Sequence, residues 1–228
     1  PPGAEIPVPA GRLAVAAARD PKDVGGALLA VAEALERGAR REPDPTIDGI
    51  LQVTIELTTG VDRARALLLR AWSALVRGVG PGADDAARAA SLLEDAPGPL
   101  PVALRLEARC LVGWCTVCEG HDDASTERDL LTVAASPEAS ARVRGEALAA
   151  AGRIALRRRA LGVAAERYAS AVAAMNEADA VGRLPLLELR RGIIAREQNA
   201  LGEATSRFRE AEVLAASSRD APTAAAAR

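Results

Sequence analysis

Apolar positions along the chain recur at helical spacing, and clusters of Pro, Gly and Asp interrupt them about every 15 to 25 residues. Period-2 alternation, the signature of strands, is nearly absent. The pattern predicts ten helices, at residues 23–41, 46–59, 62–78, 83–96, 100–119, 123–135, 138–159, 162–178, 184–200 and 203–216. We therefore expect an all-α chain whose helices pair into five antiparallel hairpins.

Three of these helices have a recognisable start. Asp20-Pro21, Asp44-Pro45 and Ser136-Pro137 each place an N-cap residue before a proline, which suits the first helical position. The proline-rich start predicts a linker or N-terminal extension over residues 1–19, since proline-dense segments form extended chain. The helical domain is predicted over residues 20–217, and an alanine-rich tail over residues 218–228.

The only tyrosine and the only phenylalanine, Tyr168 and Phe208, are separated by 40 residues, and their neighbours repeat in register. The matched positions are Gly152, Leu161, Ala164, Tyr168 and Ala171 in one copy, and Gly192, Leu201, Ala204, Phe208 and Ala211 in the next. A fixed period in this range is typical of a supersecondary unit that buries its apolar face by stacking on copies of itself.

The small residue, the leucine at the turn and the alanine–aromatic–alanine series resemble the pattern of tetratricopeptide repeats. The resemblance implies a right-handed α-solenoid of about five hairpins that binds a partner in a concave groove. It covers the C-terminal half, where two features depart from the family: a 40-residue period in place of 34, and Glu188 where the preceding copy has Leu148. Gly113 offers a weaker match to the same small position.

Composition narrows the classes of function that the chain can have. The net charge of -2 argues against a nucleic-acid-binding domain, since phosphate binding requires a basic surface. Lys22 is the sole lysine, a bias that we interpret as a high-GC bacterial coding signature. The sequence has no apolar run long enough to span a membrane and no recognisable signal peptide, so we expect a cytoplasmic protein without membrane contact.

All three cysteines and the only histidine cluster in twelve residues, at Cys110, Cys115, Cys118 and His121. Such a set could bind zinc, and Cys115 and Cys118 have ligand-like spacing that would also suit a redox pair. On a continuous helix, however, Cys110 and Cys115 point about 140° apart. We favour the alternative that the cysteines are small packing residues and that His121 marks the helix end.

Catalytic motifs are not found. The sequence has no P-loop, no Gly-x-Ser-x-Gly elbow and no His-Glu-x-x-His helix. We expect a non-enzymatic module that needs no cofactor.

The resemblance to tetratricopeptide repeats also implies which residues line the groove, counted from each small glycine. They are Ala149, Arg153, Leu156 and Arg157; Leu189, Ile193, Arg196 and Glu197; and Cys110, Trp114, Val117 and Cys118. Trp114, Arg153, Arg157 and Arg196 are the expected partner-binding residues, because guanidinium groups bind carboxylates bidentately. The alternative is that the arginines solvate helix ends.

We expect a protein-interaction scaffold or sensory module of a bacterial regulator, which binds a protein or an acidic peptide. Two other classes stay open: a self-association module that forms a homo-oligomer, and a small-molecule effector-sensing domain of a transcriptional regulator or kinase. A zinc-binding module at the Cys/His cluster is a further alternative.

Overall fold

The computed structural model describes Leu29 and residues 45–77, 82–121, 123–218 and 221–227. These residues are helical, with no strand among them. The helices are α1 (Pro45–Leu57), α2 (Gly60–Arg77), α3 (Gly82–Leu93), α4 (Pro99–Cys118), α5 (Ala124–Ala135), α6 (Ala141–Arg157), α7 (Leu161–Glu177), α8 (Leu184–Glu197), α9 (Leu201–Ser218) and α10 (Ala221–Ala227). A 3₁₀ turn, Val181–Arg183, precedes α8. The all-α prediction is confirmed.

Helix bounds agree with the pattern to within a few residues, with two differences. Helix α6 begins at Ala141 rather than 138, because Ser140 is its N-cap and its hydroxyl accepts the Val143 N–H at 3.3 Å. Ser136 instead ends α5. Helix α10 lies in the segment predicted to be a tail. The predicted helix 23–41 lies outside the described residues apart from Leu29, and so do the predicted linker at 1–19 and the proposed N-caps at Asp20 and Asp44.

The chain divides into two compact units, Pro1–Ala108 and Arg109–Arg228, with the boundary inside α4. In the first unit, α2 packs against α1 and α3. Its core is built from leucine and alanine side chains, which allow helices to approach closely. Arg70 on α2 donates two parallel hydrogen bonds to the buried Asp85 of α3, Nε to Oδ2 at 2.6 Å and Nη2 to Oδ1 at 2.8 Å. This planar fork fixes the register of the α2/α3 hairpin.

In the second unit each helix from α5 to α10 packs on the next along the chain. Helices approach closely at the predicted small residues. A Cβ built on Gly152 would lie 3.1 Å from the Tyr168 ring, and one on Gly192 would lie 2.5 Å from the Phe208 ring. Gly113 has the same relation to Leu130, at 2.7 Å. Each glycine therefore provides the space that a bulky side chain of the following helix fills.

Three consecutive helices of this unit end with a non-glycine residue in the left-handed region: Arg159 (φ 61°), Asp179 (φ 52°) and Asn199 (φ 61°). The N–H of the residue after each one donates to the carbonyl five positions back, at 2.9 Å in all three turns. This is the Schellman arrangement, which satisfies helix carbonyls that would otherwise lack a donor. The three turns lie 20 residues apart, which is half of the 40-residue period. This spacing limits the length of the helix between one turn and the next.

Candidate partner-binding surface

Trp114, an expected partner-binding residue, lies in the interior of the second unit. Its side chain is 7% exposed, and its indole Nε1–H donates to Oε2 of Glu146 at 3.1 Å. Glu146 is itself 1% exposed and also accepts from Arg183, Nε to Oε1 at 2.5 Å and Nη2 to Oε2 at 2.8 Å. In the described structure Trp114 thus joins α4 to α6 and is not displayed to a partner.

The other tryptophan makes a comparable bond in the first unit. Trp72 Nε1 donates to Glu107, which occupies the sixth position before Gly113, as Glu146 does before Gly152. Each tryptophan lies on α2 or α4 and reaches an acid on the helix two further along the chain. The shared register is a sequence signal for this pairing that the 40-residue period alone does not reveal.

Arg153 lies at the surface of α6, where its Nη1 donates to the Cys118 sulfur of α4 at 3.7 Å. Arg190 of α8, like Arg153, is close enough to Tyr168 for its charge to act on the phenol. Burial raises the pKa of Tyr168, and the positive charges of Arg190 and Arg153 act in the opposite direction. Two guanidinium groups, from the first helices of successive hairpins, therefore lie near one phenol.

Arg157 and Arg196 are exposed in the last turns of α6 and α8. Within the described parts of the chain, the guanidinium groups of Arg190 and Arg196 have no hydrogen-bond or ion-pair partner. Sequence reasoning overlooked Arg190, which lies two residues before the small Gly192.

The remaining positions that were expected in the groove are divided between interior and surface. Cys110, Val117, Ala149 and Leu189 are buried. Leu156 and Ile193 are half-buried, and Cys118 is exposed. Glu197 is exposed, but its Oε2 forms an ion pair with Nη1 of Arg159 at 2.7 Å. Arg196 is exposed at this surface, and Arg153 and Arg190 are half-buried. We call these three residues the arginine face.

Most other arginines of the second unit form ion pairs with carboxylates. Arg158 and Arg167 share Glu127, whose pKa their bonds lower against the opposing effect of burial. Further ion pairs of this kind are Arg144 with Glu177, Arg183 with Glu146, and both Arg191 and Arg207 with Glu188. Within the described residues, Arg153, Arg190 and Arg196 of the first helices lack such a carboxylate partner, as do the exposed Arg128 and Arg209 of α5 and α9.

The cysteines and the histidine do not converge. Cys110 is buried and points its thiol at the Val143 carbonyl at 3.8 Å, whereas Cys118 is exposed. His121 follows the C-terminus of α4, and its backbone N–H donates to the Thr116 carbonyl at 3.0 Å, next to Gly120 at φ 96°. No three His, Cys, Asp or Glu side chains of the described ranges are placed to share a metal ion.

A surface depression of about 650 Å³ runs along α5. Its lining consists of Ala124, Glu127, Arg128, Leu131, Thr132, Ala135 and Ser136. These residues all come from one helix and its C-cap, whereas small-molecule sites are usually enclosed by several elements with convergent polar groups. The depression gives little support to effector binding.

Comparison with models of known protein families gives no match, and neither does comparison with curated proteins. Of the helices whose bounds are described, none has the length and apolarity needed to cross a bilayer.

Proposed function

We propose that this chain is a non-catalytic protein-interaction module of the tetratricopeptide type that binds an acidic peptide segment of a partner protein. Its setting would be a regulatory protein of the bacterial cytoplasm. The observation that carries the proposal is the arginine face: Arg153, Arg190 and Arg196 lack a carboxylate partner within the described ranges, although neighbouring arginines have one.

Charge and rigidity support this use of the surface. Guanidinium groups are planar and weakly hydrated, so they form strong paired hydrogen bonds with carboxylates supplied in trans. The arginine face lies on α6 and α8, whose packing is fixed by the Gly152–Tyr168 and Gly192–Phe208 contacts. Helices held in this way lose little conformational entropy on binding, which leaves more of the contact energy for affinity.

The experiment is a selection from a random peptide display library, carried out on the wild-type chain and two charge-reversal variants. The test variant is Arg153→Glu with Arg196→Glu. The control is Arg128→Glu with Arg209→Glu, which makes the same charge change at exposed arginines of the second helices α5 and α9. We expect Asp- and Glu-rich peptides from the wild type and the control, and their loss from the test variant.

Peptides without acidic enrichment, or equal loss from both variants, would contradict the proposal. A folded circular dichroism spectrum is required of each variant. Arg190→Glu, made separately, asks whether the arginine that sequence reasoning overlooked belongs to the surface.

A second candidate is self-association through α9. Leu201 and Val213 on this helix are 61% and 69% exposed, the highest values among the large apolar side chains of the described residues. Light scattering after size exclusion tests it: a mass that rises with concentration in the wild type, and does not in a Leu201→Gln, Val213→Gln variant, would favour this candidate.

A further inference from the structure

Cys115 and Cys118 form a thiol pair on the last turn of α4. Helix geometry places residues three apart on the same face, with Cα atoms about 5 Å from each other. This distance falls within the range of about 4.4 to 6.8 Å that disulfides span. Cys110 is separate from the pair because it is buried and directed at the Val143 carbonyl. The chain therefore contains two neighbouring thiols and a third that can act as an internal reference.

The two thiols of the pair differ in environment. Cys118 is exposed, and its sulfur lies 3.7 Å from Nη1 of Arg153. An accessible sulfur next to a cationic side chain is the environment typical of reactive cysteines, whereas buried thiols are inert. Cys115 is half-buried, and burial together with the neighbouring Cys118 and Glu119 charges raises its pKa to about 11. Cys118 is thus the thiol that reacts first, while Cys115 is held protonated beside it.

We propose that Cys118 is a modification site for low-molecular-weight disulfides, and that Cys115 resolves the adduct into a Cys115–Cys118 disulfide. In the first step the Cys118 thiolate attacks one sulfur of the small disulfide; a mixed disulfide forms and one thiolate leaves. In the second step Cys115 loses its proton and attacks the Cys118 sulfur, and the second small thiolate leaves. Two protein thiols are oxidised, and one small disulfide is reduced to two thiols.

The modification changes the arginine face whichever adduct persists. Either product converts the Cys118 sulfur, which accepts from Arg153 in the reduced chain, into a disulfide sulfur, and so weakens this contact between α4 and α6. The inference concerns thiol chemistry alone and does not depend on the proposed peptide binding.

The test treats the full chain with oxidised glutathione and follows intact mass with time. We expect the wild type and Cys110→Ser to gain one glutathionyl group transiently and then to end two hydrogens lighter than the reduced chain. Cys115→Ser should retain the glutathionyl group, located at Cys118 by peptide mapping. Cys118→Ser should undergo neither change at the pair.

A second measurement tests the role of Arg153. We expect Arg153→Gln to slow the first step several-fold, whereas Arg128→Gln, at an exposed arginine of α5, leaves its rate unchanged. Modification of Cys110 ahead of Cys118, or no adduct in Cys115→Ser, would overturn the assignment of the modification site. A wild-type adduct that never closes would overturn the role of Cys115, and an equal rate in Arg153→Gln would remove the guanidinium from the mechanism.

Discussion

Hairpins α6/α7 and α8/α9 use the same contact, a glycine on the first helix and an aromatic ring 16 residues later, yet they bury the ring to different extents. Tyr168 is 2% exposed, because α8 packs against α7 beyond it. Phe208 is half-buried, in a cluster with Leu189 and Ala211 that the short α10 helix extends through Ala227. Sequence register determines where the contact forms, and the element that follows determines how much stability it contributes.

The buried acids differ between the same two hairpins. Glu146 binds Trp114, a buried donor, as well as Arg183. Glu188 binds Arg191 and Arg207, whose side chains reach solvent. Removal of the Glu146 carboxylate would leave the buried Trp114 N–H without an acceptor that water could replace. Removal of the Glu188 carboxylate would leave only side chains that water can reach.

The largest effect should come from removing the aromatic rings. Tyr168→Ala should lower the free energy of unfolding by about 3 to 5 kcal/mol, the usual cost of a cavity left by a buried aromatic side chain. Phe208→Ala should cost about half as much, since part of its ring is already in water. Urea titration followed by circular dichroism measures both. Equal losses would show that the element following each hairpin does not matter.

Replacement of the buried acids should have the next largest effect. Glu146→Leu should cost about 2 to 4 kcal/mol, because it leaves the Trp114 N–H without an acceptor and Arg183 without its pair. Glu188→Leu should cost about 1 kcal/mol or less, since its arginines can turn to solvent and leucine suits an apolar interior. Both variants belong in the same urea series. A larger loss for Glu188→Leu would contradict the distinction.

The glycines test how tightly each ring is held. Gly192→Ala should destabilise by about 1 to 3 kcal/mol, because its Cβ would lie 2.5 Å from the Phe208 ring. Gly152→Ala, at 3.1 Å from Tyr168, needs a smaller shift, and the helix propensity of alanine offsets about 1 kcal/mol of its cost. Gly162→Ala and Gly202→Ala are controls, because neither Cβ meets another atom within 4 Å. A larger loss of stability in Gly152→Ala than in Gly192→Ala, measured by thermal unfolding, would contradict the expected order.

The smallest effect concerns the turns. Arg159→Gly should stabilise by about 0.5 to 1 kcal/mol, because arginine is strained at positive φ and glycine is not. Asn199→Gly should gain less, since asparagine tolerates this conformation. Glu197→Gln reports separately on the ion pair that Arg159 would lose. The melting temperatures of the three variants measure these effects. If Arg159→Gly shows no gain after the loss of the ion pair has been subtracted, the turn is unstrained.

Much of the helical architecture follows from the sequence. Proline, glycine and aspartate punctuation predicted the described helices from α1 to α9 to within a few residues. The 40-residue period singled out the glycines and aromatic residues, although not that each glycine contacts the ring of its own hairpin. Both are local or periodic signals. The pattern predicted a helix up to residue 159, whereas α6 ends at Arg157 and the chain turns at Arg159, which lacks the glycine that usually marks such a turn.

The candidate surface was less accessible to prediction. Whether Trp114 faces solvent depends on Glu146 and Arg183, which lie 32 and 69 positions further along the chain. Which arginines lack a partner likewise depends on where acids of neighbouring helices come to lie. Arg153 and Arg196 could be named from register alone, whereas Arg190 required knowledge of the packing around Tyr168.

The most direct test of the proposed function is a charge swap, measured by calorimetric titration. An acidic peptide selected on the wild-type chain is compared with a copy in which lysine replaces each Asp and Glu. The account predicts that the wild type binds only the acidic peptide, that Arg153→Glu with Arg196→Glu binds the lysine copy better, and that Arg128→Glu with Arg209→Glu behaves as the wild type. Unchanged preference in the Arg153→Glu, Arg196→Glu variant would contradict recognition by the arginine face.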